Sequence, residues 1–168
     1  INENGSKDAF SYTSGTNNGK NVNITGGVFS GAVAKYLKNS EGDTVTAVTG
    51  YVNGKLMNFV NEEAKNTFIG NCVATISRKI NDTDTEATTV YYTTIANAFS
   101  DAKADETITL TKGNASLTGD VTLANNVKLE LANDVNGRPS AIVVSSDTTL
   151  DLNGKTITYG SGIGKVFE

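Results

Sequence analysis

Apolar pairs recur at a fixed step in the last third of the chain, and no other feature restricts its fold as tightly. Ile108 and Leu110 are followed by Leu129 and Leu131, then by Leu150 and Leu152, 21 residues apart each time. Val121 and Leu123 are followed by Ile142 and Val144 at the same spacing. Two series with one period call for a unit that holds at least two short strands and repeats by stacking on itself. Within a unit apolar and polar residues alternate, as in Thr107-Ile108-Thr109-Leu110 and Thr149-Leu150-Asp151-Leu152. One side of such a strand is buried and the other meets water. These observations predict a mainly β chain whose 21-residue coils wind as a parallel β-helix, a solenoid with coils about 4.8 Å apart. An antiparallel sandwich with evenly spaced hairpins is the alternative, but it gives no reason for two series to share one step.

Elsewhere the pattern changes. Tyr91–Glu106 places Ile95, Ala98, Phe99 and Ala102 at helical spacing, with Thr93 or Thr94 as N-cap, and predicts a short capping helix ahead of the first coil. In the middle segment, Asn53-Gly54 between alternating residues is a hairpin signal. The overlapping stretch from Leu56 to Phe68 also fits a helix through Leu56, Phe59, Val60 and Phe68, with Glu62 and Glu63 on its wet side, and the sequence leaves both readings open. Asn81 to Thr89 is polar without periodicity and reads as an exposed loop. The expected organisation is coils over 1–40, an irregular middle over 41–90, and the capping helix with further coils over 91–168.

Composition narrows the function classes. The net charge is −4 and the 14 Lys and Arg are scattered, Arg78-Lys79 being their only adjacent pair, so these charges read as solvated and nucleic-acid binding is not expected. No apolar run is long enough for a membrane span. There is no His and no Trp, and the only arginines are Arg78 and Arg138. A polysaccharide-degrading site, the enzymatic alternative for a β-helix, needs clustered acids, a base and a group to neutralise a uronate. Asp147 and Asp151 read instead as solvated or turn-capping residues. No catalytic residue, metal site or cofactor is expected. Cys72, the single cysteine, reads as a buried structural side chain. The triplets Asn18-Gly19-Lys20, Asn53-Gly54-Lys55 and Asn153-Gly154-Lys155 read as tight turns. Tyr36, Tyr51 and Phe59 are the aromatics available to a glycan or host protein, although packing is the simpler role for them.

Three stretches resemble the modular surface proteins of Gram-positive bacteria that carry parallel β-helix stalks and adhesin-like repeats. Tyr91–Leu110 looks like the capping helix and first strand of such a module, Thr148–Thr158 like its characteristic coil, and Asn21–Gly31 like its last coil. The resemblance implies an extracellular bacterial module without enzymatic activity. The order of the stretches is rotated relative to the family, since the closing segment comes first. Were one copy to follow another, Ile157 and Tyr159 would be succeeded 21 residues later by Phe10 and Tyr12. Head-to-tail stacking of copies, or of modules in a longer chain, is therefore the expected partnership, with Ile1, Phe10, Tyr12, Ile157, Tyr159, Val166 and Phe167 as its interface. The alternative is an adhesin module that binds a glycan or a host-surface ligand.

Overall fold

The computed structural model describes residues 27–30, 37, 43–44, 46–112, 121–123, 126–137, 142–144 and 148–159. The chain divides into two compact units, Ile1–Gly70 and Asn71–Glu168.

In the first unit β1 (Val28–Phe29), β2 (Val48–Val52) and β3 (Lys55–Phe59) form an antiparallel arrangement in the order β1-β3-β2. Asn53 (φ 49°) and Gly54 (φ 74°) both occupy the left-handed region, which a two-residue hairpin turn requires. The helix α1 (Glu62–Ile69) follows. Asn61 caps it by accepting from the Ala64 N–H at 2.8 Å, and Glu62 and Glu63 lie in the first turn, where the helix dipole favours acids. The hairpin reading is realised, and of the helical reading only the part from Glu62 to Phe68 holds. Leu56 and Phe59 belong to the hairpin and Phe68 to the helix, with the rings of Phe59 and Phe68 5.7 Å apart. Leu37 and Val60 are buried together, with Phe29, Ala47 and Ala64 packed around them.

The second unit holds β4 (Ala74–Arg78), β5 (Thr88–Tyr92), α2 (Ile95–Asp101), β6 (Thr107–Leu110), β7 (Val121–Leu123), β8 (Lys128–Leu131), β9 (Val135–Gly137), β10 (Ile142–Val144), β11 (Thr149–Asp151) and β12 (Ile157–Tyr159). Its larger sheet runs β5-β4-β6-β8-β11. β5 and β6 flank β4 in the antiparallel sense, whereas β6, β8 and β11 are parallel to one another. β7 with β10 and β9 with β12 form separate parallel pairs. The Thr94 hydroxyl caps α2 by accepting from the Asn97 N–H at 3.2 Å, and Ile95, Ala98 and Phe99 are buried on the face that the sequence predicts. Cys72 is buried as expected.

The parallel β-helix is not shown, and the expectation of a solenoid is corrected here. The described strands form open sheets and no closed coil: in the first unit β1 with β3 and β2 with β3 are antiparallel, and in the second the parallel run β6-β8-β11 continues from antiparallel pairs of β4 with β5 and with β6. The periodicity misled because it samples only 108–152, where the parallel strands lie, while the hairpins upstream carry no period. A shared step reports the register of neighbouring strands and does not require the coil to close. That register itself is realised: Ile108 faces Leu129, Leu129 faces Leu150, and Val121 faces Ile142.

Candidate functional site

Parallel strands stack apolar residues in columns. On β6 and β8 the even and odd positions differ sharply: Ile108, Leu110, Leu129 and Leu131 are at most 3% exposed, while the alternating Thr107, Thr109, Lys128 and Glu130 are half-buried. The corners are stacked as well. Asp105 (φ 68°) and Asn126 (φ 58°), also 21 residues apart, both take the left-handed conformation, and the Asp105 N–H donates to the Asn126 carbonyl at 3.1 Å. Past each strand, side chains continue the ladder where the backbone turns away. Asn133 Nδ2 donates to the Thr111 carbonyl at 2.6 Å, and the Thr156 N–H donates to Asp134 Oδ1 at 2.9 Å. Asn153 (φ 48°) and Gly154 (φ 71°) then form the turn expected of their triplet, closed by Lys155 N–H on the Leu152 carbonyl at 2.7 Å.

The two ends of this ladder differ. At its beginning β6 is covered by β4, and α2 lies against β4, β5, β6 and β7. A part-buried ionic group ties that end together. Arg78 Nη1 donates to Asp101 Oδ2 at 3.0 Å, and Nη2 donates to the Asp101 carbonyl at 3.1 Å and to Glu106 Oε2 at 2.9 Å. Tyr92, fully buried, donates its hydroxyl to the same Asp101 oxygen. Burial and this hydrogen bond push the Tyr92 phenol well above its ordinary pKa. The expectation of a solvated Arg78 is therefore corrected: its side chain is 11% exposed. Alternation carried the missed signal, because Arg78 lies two and four residues beyond the buried Ile76 and Ala74 and shares their face.

At the far end β11 is the last strand of the sheet among the described residues. Leu150 continues the column above Leu129 and Leu152 follows just past the strand end, yet they are 37% and 41% exposed. On the opposite face, Lys128 Nζ lies 3.0 Å from Glu130 Oε2 and 2.9 Å from Asp151 Oδ2. The hydrogen bond to Asp151 and then that to Glu130 hold the Lys128 ammonium above its usual pKa, and Lys128 holds the Asp151 carboxyl below the usual range. A lysine kept charged in this way is a poor nucleophile, so the trio is a surface tie between rungs. Asp151 also accepts from the Asn153 N–H at 2.8 Å, the turn-capping role that the sequence suggests.

Other candidates resolve as follows. Ile157 and Tyr159 lie in β12, paired in parallel with Val135 and Gly137 of β9, and Ile157 is half-buried. Ile1, Phe10, Tyr12, Val166 and Phe167 lie outside the described residues, as do Tyr36, Asp147, Arg138 and the triplet at 18–20. Phe59 is fully buried and Tyr51 half-buried. The loop from Asn81 is closed on itself, with Asp84 Oδ2 accepting from the Asn81 N–H at 2.8 Å and the Ile80 N–H at 3.1 Å. Those bonds hold the Asp84 carboxyl below its ordinary pKa. No group of three His, Cys, Asp or Glu side chains suited to a metal occurs among the described residues. None of their helices is long and apolar enough to cross a membrane.

Comparison with known proteins gives no match to a family model, a curated protein or a solved structure.

Proposed function

We propose that this chain is a structural, non-enzymatic module of an extracellular bacterial surface protein, which works by associating with copies of itself or with adjacent modules. The observation that carries the proposal is the last rung, which has no further strand beyond it among the described residues. Three parallel strands share one register, the first two bury their leucine and isoleucine column, and the third presents the same column to water. An exposed strand edge with apolar side chains is normally blunted by charge, proline or a covering element, and a protein that keeps one open has a use for it. The charged groups support the same reading. Arg78, Asp101 and Glu106 are spent on tying β4 to the ends of α2 and β6, and Lys128, Glu130 and Asp151 on tying β8 to β11. Placement at a bacterial surface draws its support from the resemblance of the three quoted stretches.

Light scattering on the purified chain over a concentration series tests the proposal. Mass rising with concentration above that of the 17.6 kDa monomer is the expected result. A mass that stays at the monomer value throughout overturns self-association.

A further inference from the structure

We infer that Asn153 is a self-modifying site: the Gly154 backbone nitrogen converts its side-chain amide to a carboxylate, and the corner that follows β11 is thereby released from β8.

The reaction needs only the chain and water. The Gly154 nitrogen bonds to Asn153 Cγ, the Cγ–Nδ2 bond breaks, and the amide nitrogen leaves with the Gly154 N–H proton as ammonia. Water then opens the cyclic imide at either of its carbonyls and leaves an aspartate, or an isoaspartate with an extra methylene in the main chain. No electrons are exchanged with an oxidant or reductant. Glycine favours the closure because no Cβ crowds the attacking nitrogen.

Two of the Asn-Gly-Lys triplets lie among the described residues, and they share one turn geometry. Asn53 and Gly54 have φ 49° and 74°, Asn153 and Gly154 have φ 48° and 71°. Ring closure requires the Asn–Gly peptide to rotate out of that turn, so the rate in the folded chain follows the ease with which each turn opens. Around Asn53 the flanking strands pair with one another, Val52 with Lys55 and four further pairs behind them, and Asn53 is half-buried. Around Asn153 they do not, since β11 pairs with β8 and β12 with β9. One backbone bond, from the Lys155 N–H to the Leu152 carbonyl at 2.7 Å, closes this turn, and both Asn153 and Gly154 are exposed. Nothing among the described residues lies within 4 Å of the place that a Cβ on Gly154 would take, so the peptide has room to rotate.

The amide has a structural task that the product cannot perform. Asn153 Nδ2 donates to the Leu131 carbonyl at 3.4 Å, the longer counterpart of the 2.6 Å bond from Asn133 Nδ2 to the Thr111 carbonyl one rung earlier. A carboxylate at 153 has no proton to donate and meets that carbonyl oxygen as a second acceptor. It also sets a negative charge two residues from Asp151, whose Oδ1 accepts from the Asn153 N–H at 2.8 Å. Asn133 is followed by Asp134, whose Cβ hinders closure, so the earlier corner keeps its amide.

Timed peptide mapping by tandem mass spectrometry tests the site, with the folded chain in mildly alkaline buffer and a parallel sample in urea. In urea the two triplets, preceded by Val52 and Leu152, should convert at similar rates. In the folded chain Asn153 should convert at least about tenfold faster than Asn53, while Asn133 stays an amide. Equal rates at the two triplets in the folded chain, or a faster Asn53, would overturn the assignment. Asn153→Asp supplies the product directly and tests the release. Hydrogen exchange at the amides of residues 153 and 155 should be faster than in the parent, with the circular dichroism unchanged. Exchange as slow as in the parent would show that the corner does not depend on the amide, and the release would fall.

Discussion

Rungs β8 and β11 have the same pattern and neighbouring places in one ladder, yet opposite fates. Leu129 is paired with a strand on both sides and is 1% exposed, whereas Leu150, among the described residues, is paired on one side only and remains 37% exposed. What buries a residue in a stacked sheet is therefore the next strand, and an identical apolar pair counts as core or as surface according to its position in the stack.

The largest expected effect separates the two rungs directly. Leu129→Ala should lower the unfolding free energy by about 3 kcal/mol, since it empties a site with neighbours on every side. Leu150→Ala should lower it by less than about 1 kcal/mol at concentrations where the chain is monomeric. Urea denaturation of the two variants measures the difference, and equal losses would mean that β11 is covered in solution.

The tied end should be next in cost. Arg78→Met keeps an unbranched apolar stem but strips Asp101 and Glu106 of their cation, and a loss of about 2 kcal/mol is expected. A fully buried pair would cost more, but Asp101 is 37% exposed and water makes good part of the loss. Tyr92→Phe removes one hydrogen bond to a carboxylate and should cost about 1.5 kcal/mol near neutral pH. Its pH dependence is diagnostic. The folded phenol titrates above the ordinary value, so its contribution is complete below about pH 10 and declines as pH rises beyond it. The parent chain should lose stability across that alkaline range and Tyr92→Phe should lose less. Equal slopes in alkaline denaturation curves would place the phenol in water.

The same contrast explains what could be read in advance. The register of β6, β8 and β11 was legible because stacked parallel strands bury the same positions on each pass, and that leaves a period in the sequence. The α2 face and its Thr94 cap were legible because helix spacing and capping are local. Pairing of β4 with both β5 and β6 was not, since strands that meet once, in opposite sense, leave no repeat. Arg78 was lost to a rule about composition, although the alternation of Ala74, Ile76 and Arg78 already placed it inward. The exposure of Leu150 was hidden for a different reason: its local sequence is that of a buried rung, and only its place as the last paired strand among the described residues reveals it.

The smallest expected effect concerns the surface tie between the two rungs. Lys128→Met should barely change the stability at ordinary ionic strength, because both carboxylates that it holds lie at the surface and water solvates them when the ammonium is gone. Its signature is salt dependence. In the parent chain Lys128 lies between Glu130 and Asp151, acids that face one another across adjacent strands, so the tie weakens as salt screens it. In Lys128→Met only the repulsion between those acids remains, and added salt should relieve it. The stability difference between parent and variant should therefore narrow from low to high salt, as urea midpoints at two ionic strengths would read. A gap that is indifferent to salt would mean that the lysine acts through the packing of its methylene stem and that β11 is held to β8 by its backbone alone.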